Sequence, residues 1–257
     1  MNLRREFIHR DDLLAYLREH FPYARGGLSP FVGGRAAAED RLRSFQASRY
    51  AASRNFLSGS VSRLSPYLRH GVLTLREVLA YVRERVDANR LYKFIQELAW
   101  RDYWQRVYID IGDGIWQDRE PVKTGAAYTN EPPADWGCTG LACMDGFAEE
   151  LEITGYLHNH ARMWVAAYLV HWRRAAWQTG ARWFLRHLVD GDPASNNLSW
   201  QWVASTFSAK PYFFNRENLE RYTEGRYCGT CARLHDCPFD KSYANLAVEL
   251  FPLRVIR

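Results

Sequence analysis

Apolar residues that recur every three or four positions are the feature of this sequence that most limits its fold. Thr74 and Glu77 have the spacing of a capping box, which marks the start of a helix. An apolar stripe at helical spacing follows it, formed by Leu75, Val78, Leu79, Val82 and Val86. Alternating segments typical of strands are scarce. The sequence therefore predicts an all-α fold with a single helical domain.

The same periodicity predicts five further helices. They run from about Asn89 to Ile109, from near Cys143 to Thr154, from about Tyr156 to Trp172, from Ala181 to Val189 and from Ala194 to Ser205. Residues 111–136 are rich in Gly and Pro and predict a long irregular connection, which in a compact domain is often functional. No G-x-G-x-x-G motif follows a strand, so a Rossmann nucleotide site is not predicted.

Arginine and aromatic residues dominate the composition. The chain has 10 Trp and a net charge of +5, and its only Lys residues are at positions 93, 123, 210 and 241. Arg stacks on planar rings and binds phosphate through a fork of donors, so this composition suits a planar phosphorylated cofactor, a nucleic acid or both. A genome that favours Arg codons is the alternative explanation.

The chain lacks the features of a membrane or exported protein. It contains no apolar run of 18 residues, and its polar start, MNLRREFIHRDD, has no apolar signal core. We therefore expect no membrane association and a cytoplasmic location.

The densest group of polar residues lies between Val189 and Trp202. It holds Asp190, Asp192, Asn196, Asn197, Trp200 and Trp202 between apolar helical segments. Buried polar groups require partners, and Arg162 is an available partner for Asp190. This density indicates a buried polar site more strongly than a solvated surface.

Three other segments are open to a structural or a functional interpretation. Glu97 and Arg101 lie four residues apart on one helix face, as a surface ion pair or as site residues. His158, Asn159 and Arg162 form either a polar helix cap or part of a site. Residues 60–69, with hydroxyls and Arg at a helix start, are either a plain cap or a phosphate site.

Taken together and in order, these segments resemble the FAD-binding domain of the photolyase/cryptochrome family. The matching stretches are SVSRLSPYLRHGVLTLREV, FIQELAWRDYW, TGYLHNHARMWVAAYLV and RHLVDGDPASNNLSWQWVAST. The resemblance covers residues 33–212, which leaves an N-terminal extension, 1–32, and a divergent Cys-containing segment, 213–257. It implies an FAD-binding domain without the family's α/β antenna domain.

The resemblance also implies roles for individual residues. The residues expected to bind FAD are Tyr50, Ser62, Arg63, Leu64, Ser65, Arg101, Arg162, Asp190, Asp192 and Asn196. Those expected to meet the damaged base are Phe94, Glu97, Trp100 and Trp202. Those expected to act in the chemistry are Glu97, Asn159, Met163, Asn196, Trp200 and Trp177. Trp200 and Trp177 match the first two members of an electron-transfer chain, with Trp116 or Tyr128 as the third.

The implied activity is blue-light-driven repair of UV-damaged DNA, in which reduced FAD passes an electron to a cyclobutane pyrimidine dimer. A cryptochrome-like light receptor, or an accessory flavoprotein without repair activity, is the alternative. A separately encoded antenna or partner protein is compatible with either.

The cysteines near the C-terminal end form a pattern typical of a metal site. Cys228, Cys231 and Cys237 include a C-x2-C pair. His235 is a candidate fourth ligand for zinc, and Cys138 or Cys143 is a candidate fourth thiolate for an iron–sulfur cluster of the kind carried by some bacterial relatives. Three ordinary thiols in a C-terminal loop are the alternative.

Overall fold

The fold was described from a computed structural model, which covers residues 3–24, 26–124 and 127–252. Twelve α-helices were found in these ranges: α1 (Arg10–His20), α2 (Arg35–Ser44), α3 (Tyr50–Ser53), α4 (Ser65–Arg69), α5 (Leu75–Arg83), α6 (Ala88–Ile111), α7 (Ala142–Thr154), α8 (Asn159–Ala167), α9 (Trp177–His187), α10 (Pro193–Ala204), α11 (Arg216–Thr223) and α12 (Tyr243–Leu250). The described residues contain no sheet, only an isolated bridge between Thr129 and Ala175. The predicted all-α fold is confirmed.

The predicted capping box at the start of α5 is present. The Thr74 hydroxyl accepts a hydrogen bond from the Glu77 backbone N–H at 3.1 Å, and the Glu77 carboxylate accepts one from the Thr74 backbone N–H at 2.7 Å. Val78 and Val82 of the predicted stripe are buried. The helix α7 ends at Thr154 as predicted, and α6 ends at Ile111, two residues beyond the prediction. Each is followed by a glycine with positive φ, Gly155 or Gly112.

Several helix boundaries differ from the prediction. The helix expected from Tyr156 begins at Asn159, because the His158 ring caps it by accepting from the His160 backbone N–H at 3.1 Å. Its last turn, Tyr168–Trp172, is π-helical. The helix expected from Ala181 begins four residues earlier and ends at His187, since packing of Trp177 overrides the weak helix propensity of its first turn.

Other helices were not identified in the sequence. These are α1, α2, α11 and α12, together with the short α3. The segment expected to open a helix at Ser60 becomes helical only from Ser65. Short or polar helices of this kind carry too little apolar periodicity to be recognised.

The described residues form two main apolar cores. One is formed largely by α7 to α10 and includes the buried Trp164, Trp177 and Trp200. The other is formed by α2 to α6 and includes Leu64 and Phe94. The loop between α9 and α10 lies where residues from both sides meet. No helix in the described ranges is long and apolar enough to cross a membrane.

The turn between α7 and α8 requires glycine at position 155. Its φ is +70°, and a β-carbon there would lie 2.6 Å from the Val189 side chain. The Gly155 carbonyl instead accepts a hydrogen bond from the Val189 backbone N–H at 2.9 Å. The close approach ties the end of α7 to the start of the α9–α10 loop.

Candidate functional site

The α9–α10 loop, residues 189–192, is fixed from several sides. Arg69 of α4 donates to the Gly191 carbonyl at 2.8 Å, and the His70 ring lies 2.9 Å from the Val189 carbonyl. Helices α6 and α8 supply the side chains that contact its two carboxylates. Three segments distant in sequence, α4, α6 and α8, therefore meet at one short loop.

The pair predicted between Arg162 and Asp190 is present. Arg162 Nη2 donates to both carboxylate oxygens of Asp190, at 3.1 and 2.9 Å, and Arg162 Nε donates to the Leu157 carbonyl. The Asp190 side chain is 2% exposed. Burial opposes the charge of Arg162, but Asp190 and Tyr156 together outweigh that effect and the pKa of Arg162 is raised. The pair fixes α8 to the loop.

Asp192 begins α10 and connects it to α6. Its carboxylate accepts hydrogen bonds from the Ala194 backbone N–H at 3.3 Å, the Ser195 hydroxyl at 2.7 Å and Gln105 Nε2 at 2.6 Å. Arg101 lies 3.5 Å away. Burial lowers the pKa of Arg101, although Asp192 acts in the opposite direction. The predicted site residues Arg101 and Asp192 thus belong to one cluster of charged side chains.

The next turn of α10 contains buried amides. Asn196 Nδ2 donates to the Ala181 carbonyl and to Asn197 Oδ1, both at 3.0 Å. The buried atoms Asn197 Nδ2, Trp200 Nε1 and His158 Nε2 have no protein partner. Buried donors without partners are rare in folded proteins, so these atoms are suited to binding a ligand.

Arginines surround the neighbouring histidine and tyrosine. The guanidinium groups of Arg63 and Arg162 lie 5.5 and 5.3 Å from the centre of the Tyr156 ring. Burial lowers the pKa of His158 to about 4, with smaller contributions from His160 and these arginines. His158 is therefore neutral at pH 7. Its Nδ1 accepts the helix-capping bond, so Nε2 carries the proton.

The predicted phosphate loop, Ser62–Ser65, has an unusual backbone. Arg63 has a φ of +52°, and Leu64 next to it is in the right-handed helical region. Such an alternation turns successive N–H groups to one side and favours anion binding. A neighbouring open cleft of about 500 Å³ is lined by Arg41, Arg49, Ser60, Ser62 and other polar residues. The segment has the chemistry of a phosphate site.

Tyr50, Phe94 and Glu97 lie together beside this loop. The Tyr50 and Phe94 rings are 5.2 Å apart, and burial raises the pKa of Tyr50. Phe94 is only 4% exposed and also packs against the Phe45 ring at 4.9 Å. Glu97 pairs with Arg54 and, at 3.2 Å, with Lys93. Glu97 does not pair with Arg101, which points to Asp192 instead.

The remaining predicted substrate residues are more exposed. The exposed fractions of Trp100 and Trp202 are 42% and 40%, and Trp100 stacks on Trp104 at 5.0 Å. Asn159 is exposed and Met163 is half-buried. These side chains are accessible to a large ligand.

The predicted electron-transfer residues lie on the packed helices α9 and α10 and on the connection before them. The tip of the Trp200 ring lies against Gly180, where a β-carbon would come within 2.1 Å of the ring. Trp177 lies one turn before Gly180 and stacks on Trp116, with ring centres 6.4 Å apart and planes 8° apart. Tyr128 instead forms a hydrogen bond to the Thr124 hydroxyl at 2.7 Å. The geometry favours Trp116 over Tyr128 as the third member.

Four of the five cysteines line one cavity. A small, partly open cavity of about 10 Å³ is bounded by Cys143, Cys228, Cys231 and Cys237, together with Arg216, Arg233 and apolar residues. Cys138 is exposed and His235 is not among the residues around the cavity. Among the described residues, no three His, Cys, Asp or Glu side chains are grouped so that they could hold a metal ion. The predicted zinc site with His235 is therefore wrong.

Some residues of the site were missed in the sequence. Gln105 is one turn after Arg101 on the same face of α6, so helical spacing could have identified it. Asp118, which accepts a hydrogen bond from Trp177, lies on an irregular connection. No local pattern indicates its position.

The fold and site together define an all-helical cofactor-binding domain. The family model described as the FAD-binding domain of DNA photolyase matches residues 94–227. The deoxyribodipyrimidine photo-lyase of Streptomyces griseus is 38% identical over 149 residues, which are 57% of this chain and 32% of that protein. The corresponding enzyme of Vibrio cholerae is 33% identical over 217 residues, 79% of this chain and 46% of that protein.

A solved structure gives the same result. A cryptochrome from Synechocystis matches with a TM-score of 0.71 and 27% identity, over 84% of this chain and 49% of that one. The chain thus belongs to the photolyase/cryptochrome family and corresponds to its FAD-binding domain. It spans between about a third and a half of the length of these relatives.

Proposed function

We propose that this chain binds FAD and carries out light-driven repair of cyclobutane pyrimidine dimers in DNA. The observation that carries the proposal is the convergence of α4, α6 and α8 on the α9–α10 loop around the buried Arg162–Asp190 pair. Membership of a family whose curated relatives are named deoxyribodipyrimidine photo-lyase supports the activity.

The residues present fit FAD. Its diphosphate suits the Ser62–Ser65 loop, and its ring suits the unpartnered donors of His158, Asn197 and Trp200. The residues that we propose to hold it are Tyr50, Ser62, Arg63, Leu64, Ser65, Arg101, Arg162, Asp190, Asp192 and Asn196. Bound in its reduced form, FAD would supply the light-excited electron that splits a dimer.

The chain's own residues would position the DNA. The exposed faces of Trp100 and Trp202 offer stacking surfaces for a base that has left the helix. Glu97 is proposed to accept hydrogen bonds from the lesion, with Asn159 and Met163 beside it. Phe94 is proposed to hold Tyr50 in place. Trp200 and then Trp177, on which Trp116 stacks, would return the flavin to its reduced state.

A light receptor or accessory flavoprotein remains the second candidate. The match to a cryptochrome structure favours it, since the same domain serves that class of protein. A separate antenna protein as partner and a cytoplasmic location stay predictions. The two functions differ in whether the reduced protein acts on DNA.

The test is repair of a thymine dimer in a short oligonucleotide by the chemically reduced, FAD-loaded protein, in blue light and in the dark. We expect repair only in the light, and about a hundredfold less with Glu97→Ala, because a buried hydrogen bond to the lesion would be lost. Asp102→Ala, on the exposed face of the same helix, is the control. A flavin-loaded protein without light-dependent repair would favour the receptor.

We also propose an iron–sulfur cluster in the cavity lined by Cys143, Cys228, Cys231 and Cys237. Support comes from four thiols that line one small cavity. A cluster is held by Cys thiolates that are distributed over its metal atoms. Arg216 and Arg233 line the same cavity and would balance the negative charge of a thiolate-bound cluster.

Iron, acid-labile sulfide and zinc contents of protein purified without oxygen test this second proposal. A cluster of the four-iron type predicts about four irons and four sulfides for each chain. Cys143→Ser should lose most of the iron, whereas Cys138→Ser, an exposed cysteine outside the cavity, should retain it. Protein that contains neither iron nor sulfide would identify the four residues as ordinary thiols.

A further inference from the structure

The loop of residues 115–119 is anchored to α10, the helix that carries Trp200. Gln201 Nε2 donates to the Ile115 carbonyl at 3.0 Å, and Gln201 Oε1 accepts from the Arg119 backbone N–H at 3.0 Å. Gln201 is fully buried. Both ends of the loop are therefore fixed relative to Trp200, and the side chains between them have defined positions.

Two side chains of this loop contact Trp177. Trp116 stacks on its ring, and Asp118 Oδ1 accepts a hydrogen bond from Trp177 Nε1 at 2.7 Å. That distance is in the range of hydrogen bonds to a charged acceptor. Trp177 is 4% exposed, whereas Asp118 is exposed to water. Asp118 thus connects a buried indole N–H to solvent.

The surrounding charges favour a positive charge on Trp177 over one on Trp116. An indole that has lost an electron is positively charged, and its N–H becomes strongly acidic. A carboxylate in contact with that N–H stabilises the charge and can accept the proton. The guanidinium carbon of Arg182 lies 4.9 Å from the centre of the Trp116 ring. This contact is attractive for a neutral ring but repulsive for an oxidised one.

We propose that Asp118 is the proton acceptor for oxidised Trp177 and that the electron vacancy therefore stops at Trp177 rather than moving to Trp116. The inference rests on the proposed function for the first oxidation, that of Trp200 by the light-excited oxidised flavin. An electron then passes from Trp177 to Trp200, and the Nε1–H bond of Trp177 breaks while an O–H bond forms on Asp118. A thiol from solution later supplies the electron that restores Trp177, Asp118 returns the proton to Nε1, and the proton of the oxidised thiol is released to water.

Transient absorption after a blue flash distinguishes the protonated from the deprotonated tryptophan radical. In the FAD-loaded wild-type protein we expect the deprotonated radical. Asp118→Asn keeps the size of the side chain and an oxygen acceptor but removes the charge and the base. We expect about tenfold slower deprotonation in this variant, which corresponds to the loss of one charge-assisted hydrogen bond. Asp113→Asn, in the preceding 3-10 turn Gly112–Trp116, is the matched control.

Two further variants locate the radical. Trp177→Phe should abolish the long-lived radical, and Trp116→Phe should leave most of it. The inference is overturned if Asp118→Asn deprotonates at the wild-type rate, or if Trp116→Phe removes the radical as completely as Trp177→Phe does. Repair of a dimer by chemically reduced wild-type protein is measured separately. Normal radical behaviour without repair would contradict the proposed DNA repair and leave the role of Asp118 supported.

Discussion

At the scale of single residues, the Arg162–Asp190 pair is the interaction that sequence reasoning located most directly. Asp190 is almost completely buried, and a buried charge requires a partner. The resemblance matched Arg162 to that partner, and both carboxylate oxygens accept from it. Burial and charge here leave few alternatives, which is why the pairing could be predicted.

This pair gives a prediction for stability. Arg162→Met should lower the free energy of unfolding by about 3 kcal/mol or more, because it leaves the Asp190 carboxylate buried and unpaired. Urea unfolding of the purified variant measures the change. Replacing both members, Arg162→Met with Asp190→Leu, should recover part of the loss.

Arg106→Met is the matched control for this prediction. Arg106 and Asp102 form the same type of ion pair, but their side chains are 73% and 51% exposed. Exposed pairs contribute little, so a change below about 1 kcal/mol is expected. Equal losses for Arg106→Met and Arg162→Met would show that burial does not determine the contribution of the Arg162 pair.

The spacing of Glu97 and Arg101 was not sufficient to predict their ion-pair partners. Their separation of four residues places both on one face of α6, and an ion pair between them was one interpretation. In the folded chain each pairs with a different segment, Glu97 with Arg54 and Arg101 with Asp192. Partners from distant segments compete with the helical neighbour, and only tertiary packing determines which one prevails.

At the scale of secondary-structure elements, helix ends with local signals were predicted correctly. The capping box of α5 and the glycines after α6 and α7 act within a few residues, so the sequence contains all the information required. The start of α8 lacked such a signal, because a histidine ring acts as its cap. The start of α9 depends on the packing of Trp177.

The irregular connection between α6 and α7 was predicted, but the tertiary contacts of its side chains were not. Residues 111–136 were expected to be a long loop because of their Gly and Pro, and apart from one 3-10 turn no helix lies in its described part. Trp116 and Asp118 were brought to Trp177 by the buried Gln201. Irregular backbone has no period, so its tertiary contacts cannot be read from the sequence.

At the scale of the whole molecule, two buried histidines predict a loss of stability in mild acid. Burial lowers the pKa values of His158 and His171 to about 4 each. Between pH 4 and the unfolded value of about 6.5, the unfolded chain binds more protons than the folded one, so stability falls as pH falls through this window. Each shift corresponds to a loss on the order of 3 kcal/mol.

Urea unfolding at pH 7, 6 and 5 tests this dependence. His171→Gln should show a shallower decline between pH 7 and 5 than the wild-type protein, even if its stability at pH 7 is lower. His235→Gln changes an exposed histidine and should retain the wild-type slope. A wild-type stability that is constant from pH 7 to 5 would contradict the prediction.

The sequence alone determined the helical class, the capping box of α5, the density of polar groups in residues 189–202 and the family. These features depend on periodicity, local hydrogen bonds and ordered motifs, which are properties of neighbouring residues. The tertiary structure decided which charged groups pair, which aromatic ring stacks on Trp177 and that Cys143 rather than Cys138 joins the other cysteines. Those outcomes depend on segments far apart in the chain, whose relative positions are fixed only when the apolar cores pack.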